Sequence, residues 1–304
     1  MKAARIHGYN TQPVVEDAAN PVIGAADVLV RVAAAALNPL DTKMQQGLMH
    51  GFFPVEFPYT IGTDLAGAVE QVGLDVTGWR AGDRVVARTD PPRGGALAEL
   101  AAVPAAYLAK APASVSAGEA AGVPTAAGTA WQALFEVAGL KAGQTVLVHA
   151  GASGVGSFAI QLARHAGARV IATASGDGLD IARRLGADQV INYRSERFED
   201  KLSDLDVVLD TIGGDTQQRS FGVLRAGGHL ATAVSPPDEA LAKGHGVHAS
   251  FVFHQSDAAR LAKLLEMIDA GMVKVLVDRM VPLDEFAFGY QASGHARGKV
   301  IVTL

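Results

Sequence analysis

The chain has 304 residues, 49% of them hydrophobic and 19% charged, with 26 basic and 31 acidic side chains and a net charge of −5. These figures exclude a disordered chain and the clustered basic excess of a nucleic-acid-binding surface, and no apolar run reaches the roughly 18 residues of a membrane span. Cysteine is absent, which removes disulfides, thiol nucleophiles, thiolate zinc sites and iron–sulfur clusters together; with no apolar leader behind Met1, the expected compartment is the cytoplasm.

Length alone predicts about two domains. The first 115 or so residues read as short β segments between turns, such as 28–32, 67–73 and 84–87. The rhythm changes at Ser116. Ser116 and Glu119 make a capping box, which opens a helical stretch to about residue 137, interrupted by Gly122 and Pro124. Apolar strands then alternate with helices: strands at 145–149, 169–173, 189–192, 206–209 and 229–234, and helices at 155–165, 179–185 and 217–224. That alternation predicts a parallel sheet covered on both faces. Residues 257–270 show helical spacing, with Leu261, Leu264, Leu265 and Ile268 on one face. The tail, 273–304, returns to β segments and is expected to rejoin the first domain.

The strand at 145–149 runs into Gly151-Ala152-Ser153-Gly154-Val155-Gly156, and a helix starts there. This strand–turn–helix context is what a dinucleotide site requires. Gly151 permits the tight turn, the small Ser153 lets backbone approach the pyrophosphate, and Gly154 and Val155 open the helix whose N-terminus faces the anion. Gly156 lets helix and strand pack closely. A cofactor with a free ribose diol usually meets Asp or Glu about 20 residues further on. Here the tip of the next strand carries Ser175. With no carboxylate to repel a 2′-phosphate, NADPH is the expected cofactor. Tyr193 and Arg194 follow the third strand, where they would flank the adenine and its phosphate.

Several segments together resemble the zinc-free quinone oxidoreductase branch of the medium-chain dehydrogenase/reductase superfamily. They are Leu37-Asn38-Pro39-Leu40-Asp41, Gly62-Thr63-Asp64-Leu65-Ala66-Gly67, Gly82-Asp83-Arg84-Val85, Gly128-Thr129-Ala130-Trp131, the glycine loop, and Arg297-Gly298-Lys299-Val300. The resemblance spans the chain in order. It implies an α/β protein: a Rossmann doubly wound parallel sheet over 119–267, and a discontinuous GroES-like β-rich catalytic domain over 1–118 and 268–304. It also implies NADPH-dependent reduction of quinones or α,β-unsaturated carbonyls. In zinc-dependent relatives a cysteine ligand matches Asn38 and a histidine ligand matches Thr63, so no metal site is expected.

The candidate catalytic residues are Asn38, Thr129 and Tyr59. Asn38 precedes Pro39 as a helix cap does, and the resemblance also places it beside nicotinamide and substrate. Thr129 resembles the residue that faces the nicotinamide ring, and Tyr59 is read as a hydrogen-bond donor to a substrate carbonyl. Lys299 resembles a basic residue at the cofactor end of the cleft. The expected partners are a small-molecule quinone or enone and a second copy of the chain, with neither nucleic acid nor membrane. The second copy follows from residues 248–253, which are apolar on both faces and free of Pro and charge. They read as an unprotected end strand. Two rival readings stand beside the reductase: a zinc-free alcohol dehydrogenase, and a non-catalytic NADP(H)-binding protein of crystallin-like or regulatory kind.

Overall fold

Short β-branched runs without interior proline build the expected parallel sheet. A computed structural model describes residues 1–292 and 296–304. In it, six parallel strands lie in the order Gln189–Asn192, Arg169–Ala174, Thr145–Val148, Leu205–Asp210, Leu224–Thr232 and His248–Phe251. Thr145–Val148 is central and nearly fully buried, as a strand covered on both faces must be. Leu147, Ile171, Val208 and Leu230 lead the core, with Phe198 and Phe221 packed against them. The strand order reverses beside Thr145–Val148, and open α/β sheets bind ligands at such switch points, off the carboxyl ends of their strands.

The expected helical stretch after Ser116 is three pieces: Ala117–Ala121, Pro124–Trp131 and one π turn, Gln132–Val137. Gly122 ends the first piece, and Pro124 starts the second where its missing N–H costs nothing. The capping box is present, with the Glu119 amide donating to Ser116 Oγ and the Ser116 amide to Glu119 Oε2.

The other unit is β-rich. Strand Asp27–Ala36 pairs antiparallel with Asp64–Val72, Leu100–Pro104 and Lys299–Thr303. A three-stranded sheet of Lys2–Ile6, Val14–Asp17 and Tyr59–Thr60 lies in the same unit. The tail supplies Val277–Pro282 and Lys299–Thr303 to this unit. The tail also contains a helix, Phe286–Ala292, where only β structure is expected from sequence.

The boundaries differ from those expected. The first unit comprises Met1–Thr125, Ser256–Gly271 and Val275–Leu304, and the second Ala126–Gln255 and Met272–Lys274. Helix Ala258–Asp269 therefore belongs to the β-rich unit and not to the parallel sheet. It packs on strand Leu108–Lys110, and Ser114 Oγ donates to Asp269 Oδ1 at its end. Among the described residues, no helix is long and apolar enough to cross a membrane.

Candidate active site

In the second unit the central strand leads into a turn with Ala150 at φ +50°. Helix Gly154–His165 follows it. A Cβ on Gly156 would lie 2.2 Å from the Ala150 carbonyl oxygen, and one on Gly151 would lie 2.8 Å from Ala172 Cβ. Only glycine lets helix, turn and strand approach this closely. The Ser153 hydroxyl is not an idle small group: it caps the helix, accepting from the Gly156 amide at 3.1 Å. Ser153, Gly154 and Val155 stay partly open to solvent at the positive end of a helix macrodipole, which favours an anion. The closely packed turn and this exposed helix start fit a dinucleotide pyrophosphate.

Two further expected residues meet. Ser175 Oγ donates to Tyr193 Oη at 2.9 Å across neighbouring strand ends, and Tyr193 is 55% exposed while Ser175 is buried. The pair leaves a hydroxyl-rich strand tip, suited to accepting or donating around a phosphate. Thr129 lies in helix Pro124–Trp131 and is buried.

Sequence reasoning missed the support beneath the loop. His149 is buried with Nδ1 3.1 Å from Thr173 Oγ1 and Nε2 2.9 Å from Ser220 Oγ. The Ser220 hydroxyl spends its proton on Thr216 O, so Nε2 donates to Ser220 and Nδ1 accepts from Thr173. The ring is neutral, and burial pushes its pKa down to about 4. Asp210 accepts from the amides of Ile212 and Gly213 and from Gln217 Nε2. That shapes the turn whose Thr211 hydroxyl donates to the His149 carbonyl at 3.0 Å. The glycine-rich turn after Thr145–Val148 is thus tied to the loop after the fourth strand of the chain's parallel sheet.

The first unit holds the other candidates in a buried polar network. Asn38 Nδ2 donates to Asp64 Oδ2 at 3.0 Å. Lys299 Nζ donates to Asn38 Oδ1 at 2.5 Å and to the Leu37 carbonyl at 3.0 Å. Asp64 also accepts from the Thr125 amide and hydroxyl, and Arg88 Nε donates to that hydroxyl at 3.1 Å. Asn38 and Lys299 are each 3% exposed. Burial holds the Lys299 ammonium below the usual lysine range, against the pull of Asp64 and Asp41. Burial raises the Asp41 carboxyl to about 7, with Asp64 adding to it.

Two expectations change here. Lys299, expected at the cofactor, spends its ammonium on Asn38 and Leu37, because the strand Lys299–Thr303 points it into the unit's own interior. Tyr59, expected to donate to a substrate carbonyl, donates to the Pro91 carbonyl at 2.7 Å. It is buried, and burial raises its phenol far above the ordinary range. Its hydroxyl is a structural tie.

The positions that match zinc ligands do not fit the metal. The Asn38 amide is committed to Asp64 and Lys299, and Thr63 offers a neutral hydroxyl.

Comparison with known proteins identifies the family. Residues 24–113 match the alcohol dehydrogenase GroES-like domain, and residues 185–302 match a domain described as zinc-binding dehydrogenase. The chain is 36% identical to 2-methylene-furan-3-one reductase of Solanum lycopersicum, over 99% of this chain and 79% of that one. It is 37% identical, over the same shares, to the chloroplastic NADPH-dependent alkenal/one oxidoreductase of Arabidopsis thaliana. Escherichia coli quinone oxidoreductase, solved in complex with NADPH, superposes with a TM-score of 0.89 at 27% identity and full coverage of both chains. The chain belongs to the quinone oxidoreductase branch of the medium-chain dehydrogenase/reductase superfamily.

Proposed function

We infer that this chain is an NADPH-dependent reductase that transfers hydride to quinones or α,β-unsaturated carbonyls without zinc. The observation that carries it is the phosphate loop at the switch point, combined with the Ser175–Tyr193 hydroxyl pair where a carboxylate would otherwise stand. When bound, NADPH supplies the hydride from C4 of its nicotinamide, and the protein supplies position and electrostatics. The Gly151–Gly156 turn and the start of helix Gly154–His165 would hold the pyrophosphate. Ser175 and Tyr193 would take the 2′-phosphate, and Thr129 would serve the nicotinamide end. Asn38 is held in one orientation by Asp64 and Lys299, so its role is positional, within the rigid wall of its unit.

We read the active form as a homodimer paired through the end strand His248–Phe251, whose Phe251 and neighbouring Phe253 are 38% and 37% exposed. The direct experiment is NADPH oxidation by the purified chain with a panel of quinones and enones, with and without chelator. Turnover that chelator leaves untouched is the expected result. NADPH binding without turnover on any acceptor would favour a binding protein, and activity restored only by zinc would overturn the metal-free reading.

A further inference from the structure

Gly128 sits in helix Pro124–Trp131, and a Cβ on it would come within 2.4 Å of His254 Cε1 and 3.2 Å of its Nε2. The imidazole therefore rests directly on the helix backbone, one residue from Thr129. Gln132, one turn on, brackets the histidine. Its Nε2 donates to the Phe253 carbonyl and its Oε1 accepts from the Gln255 amide, each at 3.4 Å. Gln132 also opens the π turn Gln132–Val137, a form of helix found mostly at functional sites.

Topology places these groups together. His254 lies just past the carboxyl end of strand His248–Phe251, as the phosphate loop lies just past the carboxyl end of Thr145–Val148, in the same parallel sheet. The helix leads through Val137 into the amino end of Thr145–Val148, so it runs against the strands. Its early residues, Gly128 and Thr129, lie toward the carboxyl edge. Imidazole, Thr129 and phosphate loop share the edge where open α/β sheets bind ligands.

We propose that His254 is a catalytic residue that donates a proton to the carbonyl oxygen of the substrate as it is reduced. The proposal rests on the reductase reading above. For an enone, hydride from NADPH brings two electrons and a hydrogen to the β-carbon. The C=C pair moves to form a new double bond at the carbonyl carbon, and the C=O pair passes to oxygen. The imidazolium N–H bond breaks, its proton bonds to that oxygen, and its electron pair stays on the ring. The product leaves as an enol that tautomerises to the saturated carbonyl, NADP+ remains, and the ring takes a proton from solvent.

The test is His254→Gln in the full chain, with methyl vinyl ketone as acceptor and a phenolate as mimic of the developing oxyanion. General-acid loss predicts a fall of about 10²-fold in kcat/KM. Phenolate binding to the NADP+ complex loosens about tenfold, while NADPH binding stays within about twofold. Gly128→Ala displaces the ring without changing its chemistry. It shifts both quantities in the same direction, and adding it to His254→Gln costs nothing more. Turnover and phenolate binding both within about threefold of the parent overturn the proposal, as does a loss matched by an equal loss of NADPH binding. If the parent binds NADPH but reduces no enone, the reductase reading fails by itself, and unchanged phenolate binding in His254→Gln then overturns the role of His254.

Discussion

In the proposed reading, cofactor choice turns on Ser175. Its hydroxyl donates to Tyr193 at the tip of strand Arg169–Ala174, where a carboxylate would hold a ribose diol. Ser175→Asp places a negative charge where a 2′-phosphate is expected and offers two acceptors to free hydroxyls. NADPH binding should weaken at least about tenfold, roughly 1.4 kcal/mol, with NADH binding unchanged or tighter. The exposed Tyr193 keeps the site wet, so salt will reduce the difference. Fluorescence titration with both cofactors checks this, and unaltered NADPH affinity would remove Ser175 from the site. In the parent chain the preference should be modest, since Asp177 lies in the same turn and no lysine does.

Helix Pro39–Gln45 shows how an element can be legible while its chemistry is not. Its start is plain from Asn38-Pro39, and the Asp41 carboxylate does accept from the Asn38 amide at 2.7 Å. Yet the Asn38 side chain points to Asp64 and Lys299, which lie far away in sequence and share no local pattern with it. The glycine loop was legible because strand, turn and helix are contiguous. His149, Asp210 and His254 were not, because their partners arrive from separate strands and helices. Helix Phe286–Ala292 was hidden by its shortness among β segments.

The same element carries a pH prediction. An Asp41 carboxyl that titrates at about 7 when folded, against about 3.9 when unfolded, keeps its proton where the unfolded chain has lost it. Stability from this group is present at low pH and is lost as pH rises toward 7. Asp41→Asn keeps an acceptor for the Asn38 amide and never ionises. Relative to the parent, it should gain about 3 kcal/mol between pH 5 and pH 8, two titrating units at about 1.4 kcal/mol each. Denaturant unfolding at the two pH values measures it, and a difference independent of pH would show that Asp41 is already ionised at pH 5.

At the scale of the whole molecule, the chain leaves the β-rich unit at Thr125 and re-enters it at Ser256, and Arg88 bonds both residues, through Nε and Nη1. Burial lowers the Arg88 guanidinium from its usual range, so these hydrogen bonds and the nearby Asp64 and Asp41 offset a real desolvation cost. The parallel unit, by contrast, ends in an edge strand, His248–Phe251, which pairs on one side with Leu224–Thr232. The Val252 amide donates to the Thr232 carbonyl at 2.7 Å. Backbone groups alternate sides along a strand, so Val252 and Ser250 face the sheet while Ala249 and Phe251 face outward. Those outward N–H and C=O groups are what a second copy would pair with about a two-fold axis. Val252→Pro would break the chain's own ladder and report nothing specific. Ala249→Pro removes one outward N–H, a change that an edge strand tolerates, and leaves the inner ladder whole. Light scattering of the parent should give twice the chain mass at micromolar concentration, and Ala249→Pro should give the mass of one chain with its fold and NADPH affinity retained. A parent that scatters as a single chain rejects the dimer, and a variant that still dimerises places its interface on another surface.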